Sequence, residues 1–194
     1  MPHQNRVNPF GELVATPQRG AWFGNKGVLH NAKGALVRAY GWKAWIICEL
    51  NYKDWRRPLL QPGRYTELFF MDEATAMAAG HRPCHFCRRP SARQFRELAG
   101  FTRVGPLDDQ LHLERTGPRP RVADVASLPT GAFVEINGEA FLWCDGELLR
   151  WSFDGYNRTG IDAQNVKDAR LITPPTTVEV LRKGYPVQID PRRV

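Results

Sequence analysis

The sequence predicts an α+β protein made of two closely packed parts. Short β-type runs separated by Gly, Asn and Asp turns fill residues 22–50 and residues 130–172. Two helix patterns with clear start and stop residues follow the first group of runs, and a third helix pattern closes the second group. We therefore expect an antiparallel β-meander with two short helices over residues 21–100. A small antiparallel β unit with a terminal helix is expected over residues 129–194.

The first part is expected to follow a flexible arm, residues 1–20, which is polar and rich in turn formers. Gly-containing turns then separate three runs of strand character, and the third run is the most apolar. We predict these strands at residues 28–30, 35–40 and 43–50. A further short strand is predicted at residues 66–70.

Two helices in the same part are delimited by their capping residues. Asp72 is placed to cap the N-terminus of an Ala-rich helix, and Gly80 is placed to end it. Ser91 and Gln94 have the spacing of a capping box at the start of a second helix, which stops at Gly100. We expect a tight turn between the two helices.

Residues 101–128 are expected to form a short helix, at 107–114, followed by a linker rich in Pro and Arg. The second part then follows, where Asn-Gly and Asp-Gly pairs predict hairpin turns. Its last element is a helix that is capped by Thr176 or Thr177 and ends at Gly184. The two parts either form separate units or pack as one compact domain. Strands of the second part are predicted at residues 132–136, 140–144, 148–153 and 169–172.

Composition excludes several classes of protein. The 194-residue chain has 42% hydrophobic residues, including six Trp and ten Phe, which is enough for a folded core. No apolar run approaches the roughly 20 residues of a membrane-spanning helix, so we expect no membrane partner. Four cysteines are too few for a disulfide scaffold, and no signal peptide is visible. A reduced, cytoplasmic protein is therefore expected.

The net charge of +7 is concentrated in the first half of the chain. Residues 1–100 carry 15 basic and 7 acidic side chains, a net +8, whereas residues 101–194 carry 12 and 13, a net −1. Such a local basic region is typical of a surface that contacts phosphate groups. We therefore predict a nucleic-acid partner, DNA in particular, that contacts arginines in two acid-poor clusters. These arginines are Arg56, Arg57, Arg82, Arg88, Arg89, Arg93 and Arg96.

The strongest chemical signal is the pair Cys84-x-x-Cys87, which follows Pro83 in the predicted turn. Two thiolates at this spacing fit a tetrahedral Zn²⁺ ion. Cys48, at the end of the most apolar strand, is the predicted third ligand. His30 is the first choice for the fourth ligand, because a meander would bring it near Cys48. Other choices for the fourth ligand are His81, His85, Cys144 and Asp54.

Other interpretations of these cysteines stay open. The Cys84-x-x-Cys87 pair could be a redox dithiol, although the βαβ pattern of thioredoxin-like proteins is not evident, or it could hold no ligand. Cys48 could be a core residue, because free cysteine is often buried. With zinc bound, the predicted fold is a zinc-stapled β-meander joined to a small β unit.

Residues 69–87 resemble a known zinc domain. Phe69-Phe70, an Ala-rich helix, Gly80-His81 and Arg82-Pro83-Cys84-x-x-Cys87 are similar to the second half of the zinc-binding N-terminal domain of Ada-type DNA-repair proteins. The resemblance implies that Cys84 and Cys87 bind zinc. In that family an upstream Cys-x-x-x-Cys pair completes the site, and one of its members accepts methyl groups from DNA phosphotriesters. This chain has Cys48 there, with Tyr52 four positions later.

A second constellation lies in the predicted short helix, where Asp108 and Asp109 precede His112 by four and three residues. Such a set can bind a divalent metal or activate a water molecule, although acidic residues also favour the first turn of any helix. The leading hypothesis is a zinc-binding protein that binds DNA, in damage repair or damage sensing. The alternatives are a metal-dependent nuclease that uses these three residues, a thiol methyl acceptor at Cys48, and a zinc-stabilised interaction module.

Overall fold

The computed structural model describes residues 2–53 and 58–191, which form two sheets and four α-helices. The strands are β1 (Gln4–Val7), β2 (Leu13–Ala15), β3 (Trp22–Asn25), β4 (Ile46–Cys48), β5 (Leu68–Phe70), β6 (Arg82–Pro83), β7 (Arg121–Val122), β8 (Phe133–Ile136), β9 (Glu139–Cys144), β10 (Glu147–Ser152), β11 (Gly155–Arg158) and β12 (Ala169–Leu171). The helices are α1 (Glu73–Ala78), α2 (Arg89–Leu98), α3 (Val104–Thr116) and α4 (Pro175–Arg182). The predicted α+β class is confirmed.

The first sheet is mixed, with the strand order β2-β1-β5-β3-β4-β6. Its β1–β5 and β4–β6 pairs are parallel and its other pairs are antiparallel. The purely antiparallel meander predicted for this part is therefore wrong in detail. Residues 28–40 contribute no strand to it, because the expected hairpin forms only an isolated bridge between His30 and Leu36.

Residues 1–20, predicted as a flexible arm, contribute β1 and β2 to the first sheet. β1 lies between β2 and β5, and Arg6 pairs with Phe69. Val7 is fully buried, so the sheet gains apolar contacts from a segment whose composition is mostly polar. Turn-forming residues dominate this segment, but they occupy the connections rather than the strands.

The second sheet has the order β11-β10-β9-β8-β12-β7, and all of its pairs are antiparallel. Two of its three tight turns are those predicted from Asn137-Gly138 and Asp145-Gly146, where all four residues have positive φ, as type I′ hairpin turns require. With α4 at its end, this part matches the predicted antiparallel β unit with a terminal helix.

The helices follow their predicted signals with two exceptions. The Asp72 side chain accepts a hydrogen bond from the Thr75 backbone N–H at 2.7 Å, as predicted for the start of α1. Gly80, which ends this segment, has φ +82°, and a Cβ atom there would lie 2.6 Å from the Arg115 side chain. By contrast, α2 starts at Arg89 without a side-chain cap. The α4 helix starts after Pro174 rather than at a capping Thr.

The two parts share two buried apolar clusters, since each cluster contains residues of both parts. Ala74 and Ala78 of α1 pack with apolar residues of the second sheet, among them Phe133. A buried polar contact accompanies this packing, because the Tyr156 hydroxyl donates a hydrogen bond to the Asp72 carboxylate at 2.7 Å. The longest helix of the described residues, α3, has 13 residues, and none of these helices has the length and apolar character needed to span a membrane.

A buried ion pair fixes β6 against α3. Arg82 Nε and Nη2 donate to the two carboxylate oxygens of Asp108, and both distances are 2.7 Å. Both residues are buried, at 4% and 8% relative exposure. A bidentate pair of this kind satisfies both groups, whereas either one alone would be a buried uncompensated charge.

Replacement of Asp108 should therefore destabilise the fold strongly. We expect Asp108→Asn to lower the free energy of unfolding by about 3–5 kcal/mol, because the Arg82 charge stays buried without its partner. The matched control is Asp109→Asn, whose exposed pair with Lys43 contributes about 0–1 kcal/mol. Urea unfolding followed by Trp fluorescence measures both. Equal losses in the two variants would contradict the structural role of the buried pair.

Candidate metal centre

The parallel pairing of β4 with β6 brings two cysteines together. Ile47 pairs with Pro83, and the Cys84 backbone N–H donates to the Ile47 carbonyl at 2.9 Å. Cys48 directly follows Ile47 in β4, and Cys84 directly follows Pro83 at the end of β6. Because parallel strands run in the same direction, both cysteines lie at the same edge of the sheet.

A tight turn places the third cysteine, Cys87, beside the other two. After Cys84 the chain turns into α2, and the Arg88 backbone N–H donates to the Cys84 carbonyl at 3.1 Å. This turn returns Cys87 to the sheet edge, so that the sulfurs of Cys48, Cys84 and Cys87 all lie within 4.8 Å of one another. The Phe86 backbone N–H donates to the Cys84 sulfur at 3.3 Å, which stabilises negative charge on that sulfur.

These three sulfurs are placed to hold a metal ion. Tetrahedral zinc has Zn–S distances of about 2.3 Å, which puts its sulfurs about 3.8 Å apart. The observed cluster, whose sulfurs all lie within 4.8 Å of one another, is compatible with that spacing. Three soft thiolates select zinc, Cu(I) or iron–sulfur chemistry over hard cations such as Mg²⁺.

Hydrogen bonds among the three cysteines shift the pKa values of their thiols. Hydrogen bonds from Cys48 and then Cys87 hold the pKa of Cys84 far below its ordinary value. The bond to Cys84 raises the pKa of Cys48. Of these two thiols, Cys84 is therefore the easier to ionise, and a cation at the centre would favour the ionised form of all three.

His30, predicted as the fourth ligand, does not belong to the cluster. Its Nδ1 lies 2.7 Å from the Thr66 hydroxyl and its Nε2 lies 3.3 Å from the Gln61 carbonyl. The prediction fails because residues 28–40 do not form the strands that would bring His30 beside Cys48. Among the residues that the structure describes, no fourth His, Cys, Asp or Glu joins the three cysteines.

Three of the other choices for the fourth ligand also lie outside the cluster. His85 directly follows Cys84 but is not among the clustered ligand atoms. Cys144 is buried in β9 of the second sheet. His81 is fully buried, with its ring 4.8 Å from that of Phe70. Asp54 lies outside the described residues.

The cysteines form one end of a cleft of about 490 Å³. Its remaining described lining is mostly aromatic and aliphatic, with two carboxylates and no Lys or Arg. Two ring contacts organise this lining, Phe23 with Tyr65 at 6.1 Å and Tyr52 with Phe86 at 5.3 Å between centroids. The lining beyond the cysteines is Phe23, Asn25, Ile46, Glu49, Leu50, Asn51, Tyr52, Leu59, Tyr65, Glu67, Phe69 and Phe86.

The cleft residues beyond the cysteines were not predicted from the sequence, although two of them carried a signal. Phe86 sits inside the Cys84-x-x-Cys87 turn, which places it beside the metal ligands, and it is 61% exposed. Tyr52 occupies the position where the Ada-type pattern has a cysteine. Both residues could be noticed in the sequence only because they lie within or near the cysteine motif.

Two of the predicted nucleic-acid-binding arginines are buried. Arg82 pairs with Asp108, as described above. Arg88 Nη1 lies 2.7 Å from the Glu73 carboxylate, and its guanidinium carbon lies 4.1 Å from the centre of the Trp22 ring. The prediction that these two side chains contact phosphate is therefore wrong, because both neutralise acids inside the fold.

The remaining predicted arginines differ in their exposure to solvent and in the residues that they contact. Arg96 donates to the Thr102 carbonyl and pairs with Glu97. Arg93 is 74% exposed and also pairs with Glu97. Arg89 is exposed at the start of α2. Arg56 and Arg57 lie outside the described residues.

The side chains of Asp108, Asp109 and His112, which were predicted to act together, do not meet at one site. Asp108 is held by Arg82, and Asp109 pairs with Lys43 at 2.7 Å. His112 packs edge-to-face on the Tyr40 ring, with 4.8 Å between centroids. The three side chains share a helix, but each is engaged by a different part of the fold, so they do not form the metal or water-activating site that was predicted for them.

The metal content of cysteine variants tests the cluster. We expect the protein to purify with one metal ion per chain, and Cys48→Ser and Cys84→Ser each to lose it, because two thiolates hold zinc far more weakly than three. Cys144→Ser is the matched control and should retain the metal. Elemental mass spectrometry measures the stoichiometry and identifies the metal. Full retention of metal by Cys48→Ser would contradict this site.

No family model, no curated protein and no solved structure matches this chain. The resemblance of residues 69–87 to the Ada-type zinc domain therefore stays a prediction. The arrangement of Cys48, Cys84 and Cys87 rests on the strand pairing and the turn that position them.

Proposed function

We propose that this protein is a zinc-binding thiol alkyl acceptor. In this proposal Cys48, Cys84 and Cys87 hold Zn²⁺, and the Cys48 sulfur takes an alkyl group from an electrophile that enters the cleft. The observation that carries the proposal is the placement of three clustered sulfurs at one end of an apolar cleft. The resemblance to the Ada-type domain supports the same chemistry, since a cysteine upstream of the Cys-x-x-Cys pair is the acceptor in that family.

Zinc is the metal that fits this donor set best, because it binds thiolates in tetrahedral geometry without redox chemistry. When bound, it would keep the thiols ionised at neutral pH, which is the form that reacts. The protein contributes the positions of the sulfurs and a cleft that limits access by water. Metal binding would also hold β4 and β6 together, in keeping with the predicted zinc staple.

Cys48 is the best placed nucleophile of the three. The Phe86 N–H stabilises charge on the Cys84 sulfur, and a stabilised thiolate is a weaker nucleophile. Among the described residues, no backbone N–H donates a hydrogen bond to the Cys48 sulfur. Cys48 lines the cleft together with Cys84 and Cys87. Its sulfur differs from the other two in lacking a backbone hydrogen bond, which Cys84 accepts from Phe86 and Cys87 accepts from Glu49.

The proposed reaction is a simple displacement. A lone pair of the Cys48 sulfur forms a new S–C bond with the alkyl carbon as the bond from that carbon to its leaving group breaks. The leaving group departs with the bonding electron pair, so no oxidant or reductant is needed. A cationic donor, such as a sulfonium or quaternary ammonium compound, releases a neutral leaving group.

The lining favours a donor that is apolar and cationic. Aromatic rings attract cations over their faces, and the Lys53 ammonium already lies 5.4 Å from the centre of the Tyr52 ring. Glu49 and Glu67 add negative charge to the lining. A thiolate that reacts with a cation also removes two opposite charges from an apolar site, which low polarity favours.

Alkylation of the zinc-loaded protein tests this function. With trimethylsulfonium as donor, we expect one methyl group per chain, located on Cys48 by peptide mass spectrometry. Cys144, buried in the second sheet, is the internal control and should stay unmodified. Glu49→Gln should slow the reaction with the sulfonium by about two- to fivefold through loss of one attractive charge. The same variant should leave the reaction with neutral methyl iodide unchanged.

Two outcomes would contradict the proposal. One is a zinc-loaded protein in which Cys48 does not react while it remains folded. The other is methylation of Cys48 and Cys144 at equal rates, since that would show general thiol reactivity rather than a property of the cleft.

Nucleic-acid binding is the second candidate function, and the exposed Arg89 and Arg93 favour it. Both side chains project from the start of α2, directly after the metal-binding turn. The N-terminus of α2 has no side-chain cap, so its first-turn N–H groups are available to a phosphate group. Binding of DNA at this end of α2, combined with the alkyl acceptor, would give the protein a role in DNA repair or damage sensing.

The salt dependence of DNA affinity tests this second function. We expect the dissociation constant for duplex DNA to rise steeply with salt. The double variant Arg89→Gln/Arg93→Gln should flatten the log–log slope by about 1.8, because each phosphate contact contributes about 0.9. The matched control is Arg150→Gln/Arg158→Gln, which removes two exposed charges from the second sheet. Fluorescence anisotropy measures the slope, and a slope that both double variants lower equally would exclude an interface at α2.

A further inference from the structure

A second cavity, of about 170 Å³, lies at the seam between the two parts of the protein. It shares no lining residue with the cysteine cleft. Residues from the first part, from α3 and from the β12–α4 connection all contribute to its wall. Its charged lining consists of Lys26, Arg115, Arg119 and Glu114.

Lys26 is a buried cation without a carboxylate partner. The residue is 3% exposed. Its ammonium group lies 3.3 Å from the Gly11 carbonyl and 4.4 Å from the centre of the Trp45 ring. Within the described ranges, no Asp or Glu forms an ion pair with it. A buried charge of this kind is costly unless a counter-charge is present.

Arg115 adds a second cation, half-buried, to the same wall. Its guanidinium carbon lies 4.1 Å from the centre of the Trp45 ring, and it donates to the Gly80 carbonyl at 2.9 Å. Its Nε is buried and has no acceptor among the described residues. Burial, followed by the charge of Arg115, lowers the pKa of Lys26 to about 8. Burial likewise lowers the pKa of Arg115 to about 10.

The one carboxylate in the described lining is already engaged. Glu114 accepts hydrogen bonds from the Thr176 backbone N–H and hydroxyl group, at 3.0 and 2.6 Å. It also accepts one from the Gln110 side chain at 2.8 Å. Arg119 lies over the Phe10 ring at 4.9 Å and forms an ion pair at 3.3 Å with Glu135, which lies outside the lining. The described lining therefore contains three cations and one carboxylate, and that carboxylate already accepts hydrogen bonds from other residues.

We propose that this cavity binds a phosphate-sized oxyanion, which supplies the missing negative charge for Lys26 and Arg115. The volume is suitable, because 170 Å³ corresponds to five or six water molecules at about 30 Å³ each. The Arg115 Nε and the Lys26 ammonium group provide the unused donors. Guanidinium and ammonium groups are the usual protein ligands of phosphate. A location between two parts of the fold is also common for ligand sites.

The site differs in chemistry from the cysteine cleft, which has carboxylates and no Lys or Arg in its described lining. The proposal is independent of the alkyl-acceptor function, since it uses none of the residues named for that reaction. Free phosphate and a phosphate monoester present the same oxyanion to the three cations, so the experiment separates these two sources.

Isothermal titration with inorganic phosphate, at constant ionic strength set by chloride, tests the proposal. We expect one site per chain, and Lys26→Met should weaken its affinity at least tenfold. Lys33→Met, which removes an exposed lysine, is the matched control and should not change the affinity. Lys26→Met should also keep or raise the melting temperature without phosphate, because it removes an uncompensated buried charge.

A second variant covers the case in which Lys26→Met alters the fold. Arg119→Gln leaves Lys26 and Arg115 in place and should weaken phosphate binding several-fold. Titration with phenyl phosphate then identifies the source. Tighter binding than phosphate indicates a monoester ligand, and weaker binding indicates the free anion. Absence of phosphate binding to the wild-type protein, or equal affinity in folded Lys26→Met, would overturn the proposal.

Discussion

The parallel pairing of β4 with β6 is the constraint on which the metal centre depends. Cys48 ends one strand and Cys84 directly follows the other, so the register of this single pair decides whether their sulfurs meet. A slip of one residue would turn one cysteine to the opposite face of the sheet. The buried contact between Arg82 and Asp108 therefore has a positional role, because it holds β6 against α3 two residues before Cys84.

A part of the charge in this protein is used inside the fold. The arginine-rich window around the Cys-x-x-Cys turn suggests an exposed basic face, but Arg82 and Arg88 neutralise the buried acids Asp108 and Glu73. Elsewhere in the fold, Lys26 is buried and Arg115 is half-buried beside the same Trp45 ring. The potential at the surface is thus smaller than the net charge of the first half indicates, and positive charge is concentrated in an internal cavity.

Local signals in the sequence predicted part of the local structure, although the caps of α2 and α4 and the hairpin at residues 28–40 do not form as predicted. The Asp72 cap, the hairpin turns of the second sheet and the Cys-x-x-Cys turn each depend on a few neighbouring residues, whose backbone preferences act without help from the rest of the chain. Contacts between distant residues were not predictable in this way. Three examples depend on which segments meet in three dimensions. Arg6 pairs with Phe69, Arg82 forms an ion pair with Asp108, and His30 contacts Thr66 rather than the cysteines. A pattern read along one segment holds no information about its distant partner.

The two sheets also imply an order of folding. Strands β8 to β11 pair with their neighbours along the chain, so each hairpin closes a short loop. The first sheet instead joins residue 6 to residue 69 and closes much longer loops, which slows its formation. The C-terminal meander, although synthesised last, should therefore form first and present a surface on which α1 docks. The three sulfurs would then assemble late, and a nascent chain would carry unliganded, reactive thiols until the first sheet closes.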